Sequence, residues 1–344
     1  MKIAIVYNRD SKSVINLFGI PNRERIGQKT IRRIADALKA HKHRVRTLEG
    51  DKDLIDGLEE FMPRVLKGEQ PGLVFNVSYG IQGQARYTHV PSILEMVGIP
   101  YVGSGPLAHG LCLDKVVAKM IFRQHGLPTP DFTVLNSWDE QLPEDLPFPL
   151  IVKPKNEAVS FGVTIVSNED ELRDAARTIF ETFKQQMIVE RYIEGREINV
   201  GLIGNNPCET FPPVELIFGD EGPAIYTYQD KVQKSGREIR FECPADIARE
   251  TAEEAQRLAH RAYEALGCYD CARVDMRLDA DQNLHLLEVN SLPSLGEHGS
   301  YTVGGAQVGL DFAALANRLV EVASARYFGT PKPMRISRKI ADPG

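Results

Sequence analysis

The sequence predicts an α/β protein whose first hundred residues build an open parallel sheet and whose second half adds strand-rich units. Three observations carry this. Apolar runs at 3–7 and 72–77 read as strands buried on both faces. Between them Ile31, Ile34, Ala35 and Leu38 recur at helical spacing, and this βαβ alternation implies parallel pairing. From residue 188 onward strands dominate, interrupted by a helix near 251–266 and closed by one over about 310–325.

Taken in order, the first strand is followed by a polar stretch containing Gly and Pro up to about residue 27, and then by the helix carrying Ile31 and Leu38. Residues 44–48 set Val45 and Thr47 between basic residues, as in a short strand, and 54–66 are amphipathic. A helix over 90–98 leads to a strand at 99–102 and then Gly103-Ser104-Gly105. A further helix spans 115–125 and is broken by Gly126-Leu127-Pro128-Thr129-Pro130. Residues 148–154 form a strand ended by Pro154. Strands at 271–278 and 284–289 flank the turn Asp279-Ala280-Asp281. The tail after Phe328, with three prolines and several basic residues, reads as a loose terminus. There is no internal repeat.

The chain has 344 residues, enough for two or three compact units. Its 42% hydrophobic and 26% charged content excludes disorder and a fibrous protein, and a net charge of -6 argues against a general nucleic-acid binder. No apolar stretch reaches the roughly 18 residues of a membrane span. The apolar N-terminus is followed at once by Asn8-Arg9-Asp10 and lacks a signal peptide's cleavage site, so a cytoplasmic protein is expected. The five cysteines have no framework spacing, and Cys268 and Cys271 form a lone C-x-x-C that no second pair completes into a zinc site.

The strongest constellation is Arg273-Val274-Asp275 followed by Leu287-Glu288-Val289-Asn290 on the next strand. Alternation puts Arg273 with Asp275 and Glu288 with Asn290 on common faces. Two carboxylates and an amide are oxygen donors that suit Mg²⁺; a surface salt-bridge ladder is the bland alternative. Lys153 ends a buried strand, where its ammonium can meet a phosphate, and the loop 157–163 with Glu157 and Ser160 can cover phosphates through its amides or be a plain turn. Lys115 opens a helix and is either a phosphate contact or solvated. Glu190 and Glu197 flank a strand edge able to meet a purine and a ribose.

These pieces occur together and in one order. The stretches 94–105 (Leu-Glu-Met-Val-Gly-Ile-Pro-Tyr-Val-Gly-Ser-Gly), 113–115, 126–130 and 151–154 precede Glu-Arg-Tyr-Ile-Glu-Gly-Arg-Glu at 190–197, Ala-Arg-Val-Asp at 272–275 and Leu-Glu-Val-Asn-Ser at 287–291. The ordered set resembles the D-alanine–D-alanine ligase family of the ATP-grasp superfamily over residues 70 to 330. The resemblance implies an ATP-grasp fold of three domains: an N-terminal pre-ATP-grasp domain over 1–104, a central lid domain over 105–193 and a C-terminal domain over 194–330, with 331–344 a tail. It implies ATP between the last two, with Mg²⁺ (or Mn²⁺) on Asp275, Glu288 and Asn290. Lys115 and Lys153 should contact phosphates under the loop of Glu157 and Ser160. Glu190 should meet the adenine amino group, Ile193 the hinge and Glu197 the ribose. Lys231 should reach the terminal phosphate from a mobile loop, and Arg273 should steady the tetrahedral intermediate. A carboxylate would attack the terminal phosphoryl, and an amine would then displace phosphate from the acyl phosphate, giving an amide, ADP and phosphate. The partners implied are a small carboxylate and an amine, with neither nucleic acid nor membrane, and relatives suggest a homodimer.

The substrate end departs from the family pattern. The acidic motif ending Glu-Val-Ser is missing, and Glu24 is its nearest candidate. Residues 76–86 replace the family's His-Gly segment and contribute Arg86, either a partner for a substrate carboxylate or a solvated arginine. Gln229-Asp230-Lys231-Val232 lacks the family's tyrosine, Pro293-Ser294 replaces Pro-Gly, and Gly299 stands where a serine binds the acceptor, with Ser300 one place off. Substrates other than two D-alanines are therefore expected. An authentic D-alanine–D-alanine ligase and a non-catalytic nucleotide-binding protein are the alternatives.

Overall fold

The computed structural model describes residues 1–9, 14–143, 146–219, 225–227 and 237–329. The first sheet is built from β1 (Lys2–Tyr7), α1 (Gln28–Ala40), β2 (Arg44–Glu49), α2 (Leu54–Phe61), β3 (Leu73–Val77), α3 (His89–Met96) and β4 (Tyr101–Val102). Its strands are parallel in the order β2-β1-β3-β4. Alternate residues of β1 enter different cores: Ile3 and Ile5 pack with Ile31 and Leu38 of α1, while Ala4 and Val6 pack with Leu54, Leu58 and Leu94. That two-sided burial is what the unbroken apolar run encodes. The amphipathic stretch 54–66 is helical only to Phe61, because Met62 is extended at ψ 151° ahead of Pro63.

Two helices, α4 (Pro106–Leu113) and α5 (Lys115–Gln124), lead out of this sheet. Asp114 separates them and caps α5, its carboxylate accepting from the amides of Val116 and Val117. The second sheet, antiparallel in the order β5-β8-β6-β7, consists of β5 (Phe132–Leu135), β6 (Leu150–Pro154), β7 (Thr164–Val166), α6 (Glu169–Phe183) against it, and β8 (Met187–Arg191). The third has β9 (Arg196–Gly204), β10 (Cys208–Thr210), β11 (Val214–Phe218), β12 (Ile239–Glu242), α7 (Arg249–Ala265), β13 (Cys271–Leu278) and β14 (Leu284–Asn290), with strand order β12-β11-β9-β13-β14 and β10 beside β9. The chain closes with α8 (Ser300–Gln307) and α9 (Phe312–Phe328).

Leu319, Val320 and Ala323 of α9 join the core formed by α1 and β3, so the end of the chain covers one face of the first sheet. Helices α4, α6 and α8 have no counterpart in the sequence reading. Among the described residues no helix is long and apolar enough to cross a membrane.

Candidate active site

A cleft opens between the second and third sheets. Asp275 of β13 and Glu288 of β14 line it from one side, Lys153 of β6 and the loop after it from the other, with Glu190 of β8 and Ile193 of the connection between β8 and β9. The hairpin pairing sets Asp275 opposite Glu288 and Arg273 opposite Asn290, with a register shift after Asp275. Arg273 donates to both Asp275 oxygens at 2.6 Å, and the Asn290 amide reaches Oδ2 at 3.0 Å. Burial disfavours the Arg273 charge, but Asp275 outweighs it and holds the guanidinium firmly protonated. Lys115 Nζ lies 3.4 Å from Glu288 and donates to the Glu157 carbonyl at 2.5 Å.

Asp275, Glu288 and Asn290 fit a hard divalent cation: their donors are oxygens and both carboxylates border the cleft. Among the described residues no group of three or more His, Cys, Asp or Glu gathers to hold a metal ion by itself.

The back of the cleft holds three buried charges. Glu190, 1% exposed, has Lys153 Nζ 2.9 Å from one oxygen and Lys119 Nζ 3.3 Å from the other. Burial alone would raise its carboxyl, yet the two ammonium groups keep it below the usual range. Glu197 pairs in register with Arg277, and Arg277 donates to the carbonyls of Ile193 and Gly195 at 3.0 and 2.8 Å, fixing the strand connection. Over the cleft, Val159 and Ser160 take left-handed φ of 52° and 56°. A β-branched residue there is a rare conformation of the kind that clusters at ligand-clamping sites. Gly162, at φ 80°, has no room for a Cβ, which would stand 2.8 Å from Phe183 and Pro154.

The substrate candidates are more scattered. Glu24 accepts from the Tyr87 hydroxyl and borders a small polar pocket with Asn8, Arg9 and Arg25. Tyr79 is buried, and burial pushes its phenol well up. Gly299 precedes α8, whose first residue, Ser300, lies 3.0 Å from the Asn199 side-chain amide. Arg86 is not the solvated arginine of one sequence reading. It is 3% exposed, donates to the Asn156 carbonyl at 3.0 Å and pairs with Glu157 at 3.4 Å. Lys231 and Val232 lie outside the described residues. The cysteines of the lone C-x-x-C form no disulfide, and the Cys268 sulfur faces Cys112 at 3.6 Å.

Lys119 and Arg277 escaped the sequence reading although a signal existed. Lys119 lies one turn beyond Lys115 on α5, and Arg277 continues the alternate positions of Arg273 and Asp275.

Two facing antiparallel sheets that grip a cleft lined by lysines and paired carboxylates, on a parallel N-terminal sheet, define an ATP-grasp enzyme. Solved structures agree. The D-alanine–D-alanine ligase from Bacillus anthracis, complexed with ATP, superposes with a TM-score of 0.73 at 25% identity over 94% of this chain and 97% of that one. The VanG D-Ala:D-Ser ligase from Enterococcus faecalis shares the fold, with a TM-score of 0.73 at 23% identity, over 94% and 99%. The family model for the D-ala D-ala ligase C-terminus matches residues 121–321. The D-alanine–D-alanine ligase of Bordetella petrii is 35% identical over 68% of this chain and 71% of its own length. An uncharacterized protein of Sinorhizobium fredii, y4sG, is 40% identical over 96% and 98%. The chain therefore belongs to the D-alanine–D-alanine ligase family, and it is an ATP-grasp ligase dependent on ATP and Mg²⁺.

Proposed function

We propose that the chain joins a small carboxylate to an amine through an acyl phosphate, releasing ADP and phosphate, and that its substrates are not two D-alanines. The observation that carries this is the contrast between the two ends of the site. The cleft gathers Lys115, Lys153, Glu157, Ser160, Glu190, Ile193, Glu197, Asp275 and Glu288 on one wall or another. At the substrate end, Glu24 is bonded to a tyrosine and Arg86 to the loop 157–163.

In this reading Lys115 and Lys153 hold ATP phosphates, Lys231 joins them, and the loop 157–163 excludes water from the acyl phosphate. Glu190 and Glu197 orient the nucleoside. Arg273, kept protonated by Asp275, donates to the oxyanion as the amine attacks. Asp275, Glu288 and Asn290 would hold Mg²⁺, which offsets charge on the transferred phosphoryl group. The three sheets, spanning 2–102, 132–191 and 196–290, support the division into domains at 104/105 and 193/194. A cytoplasmic homodimer is part of the proposal.

The second reading is an authentic D-alanine–D-alanine ligase, the activity named for the Bordetella petrii relative. ADP release with D-alanine alone, then with a panel of L- and D-amino acids, separates the two. If D-alanine gives kcat/KM on the order of 10⁴ M⁻¹s⁻¹ or better and nothing in the panel approaches it, the proposed substrate difference is wrong.

A further inference from the structure

The two lysines on Glu190 occupy different positions. Lys153 borders the cleft, on the side from which a ligand enters. Lys119 is fully buried behind Glu190, at 0% exposure, and is tied to the Thr129 hydroxyl at 2.6 Å and the Leu286 carbonyl at 3.4 Å. Thr129 in turn donates to the same carbonyl at 2.8 Å, which fixes the ammonium from two sides. Lys119 therefore cannot reach the cleft, whereas Lys153 needs only to turn.

A buried carboxylate left without a counter-ion is strongly destabilising. If Lys153 were the sole partner of Glu190, a phosphate arriving in the cleft would have to compete with that carboxylate for the lysine. Whichever anion lost would be left uncompensated.

We propose that Lys119 is the standing counter-ion of Glu190 and thereby a positioning residue for Lys153, keeping the carboxylate paired while Lys153 engages the phosphates of ATP. The proposal rests on the cleft being the ATP site. Lys119 touches no substrate in this scheme and acts wholly through Glu190.

The test is calorimetric titration of the full chain with ATP and Mg²⁺, without carboxylate or amine. Lys119→Met should weaken ATP binding about tenfold, since Glu190 then holds Lys153 back. Lys119→Arg, which keeps the charge, should stay within about threefold of wild type. In a Glu190→Gln background the carboxylate no longer competes, so adding Lys119→Met should change ATP affinity by less than about twofold. A merely structural lysine would lower the melting temperature without this cancellation. The proposal is overturned if Lys119→Met binds ATP as wild type does, or if the loss is the same tenfold in both backgrounds. Should Lys119→Met fail to fold, the comparison of Glu190→Gln with and without it decides: equal affinities support the proposal and a tenfold gap overturns it. A wild-type chain that binds no ATP refutes the reading of the cleft itself, a result distinct from either.

Discussion

Replacing Arg86 separates what the sequence suggests from what the structure shows. In Arg86→Met the methionine fills much of the side-chain space but removes the guanidinium. The Asn156 carbonyl then loses its 3.0 Å donor and the Glu157 carboxylate its cation at 3.4 Å. Both members of the pair are nearly inaccessible, at 3% and 10% side-chain exposure, so solvent cannot step in. Breaking a buried pair from one side costs about 3–5 kcal/mol. Glu157 keeps a hydrogen bond from Gln185 at 3.0 Å, which places the expected loss near the lower figure, about 3 kcal/mol. Urea unfolding followed by circular dichroism measures it, with the m-value checked for constancy. Arg86→Lys should lose about 1 kcal/mol, because the charge stays and the fork geometry goes. The KM for ATP should rise in Arg86→Met, since the loop 157–163 loses an anchor. The KM values for carboxylate and amine should stay within about threefold. A stability loss under about 1 kcal/mol together with a rise of about tenfold or more in a substrate KM would refute this argument and restore Arg86 as a substrate contact.

Glu288→Gln should reduce ADP production at limiting Mg²⁺ by about a hundredfold or more while far-UV circular dichroism stays unchanged, because it removes an anionic donor without changing shape. Normal output would remove Glu288 from the metal set. Stability should also fall on acidification through His109, whose imidazole burial pushes down to about 4. In the unfolded chain it protonates near 6.5, so the contribution is complete above that pH and is lost as pH falls toward 4, by up to about 3 kcal/mol. Urea midpoints of wild type and His109→Gln should converge between pH 7 and pH 4.5, and a gap that ignores pH would contradict the assignment.

The legible parts of the site were those where charge is set into apolar strands. Arg273, Asp275, Glu288 and Asn290 stand on two strands joined by a short turn, so strand alternation alone fixes their relation. Lys153 and Glu190 follow apolar runs that end at the cleft. Helix α8 was not legible, because Gly304 and Gly305 pack against Phe211 and Leu315 and the helix has no polar face to give it periodicity. Helix α6, by contrast, carries its signal locally, in a strong amphipathic pattern and an Asn168 cap. The burial of Arg86 is not legible for a different reason: its partner Glu157 is 71 residues away, and no local pattern encodes that distance.

The long-range contacts around Arg86 bear on how substrate choice varies in this fold. Three groups from the N-terminal part reach the central one: Arg86 bonds Asn156 and Glu157, the Arg23 guanidinium stacks 4.2 Å from the Phe161 ring, and Ile20 packs on the core of the second sheet. Glu24, one residue after Arg23, meets Tyr87, one residue after Arg86. The segments that would contact substrate and the loop that would cover phosphates therefore share their anchoring residues. In the proposed reading, a substitution that reshapes the substrate end would also shift the loop 157–163, so specificity and water exclusion would be coupled through the same side chains. Lys115 extends the coupling, since its ammonium touches both the Glu157 carbonyl and the Glu288 carboxylate. Around Glu190 the buried charges compensate one another, so a substitution there costs more than the loss of one neutral hydrogen bond. At the Tyr87 phenol, which donates to Glu24, a substitution would remove a hydrogen bond worth about 1–3 kcal/mol and leave those buried charge pairs intact, so substrate choice would vary at lower cost there.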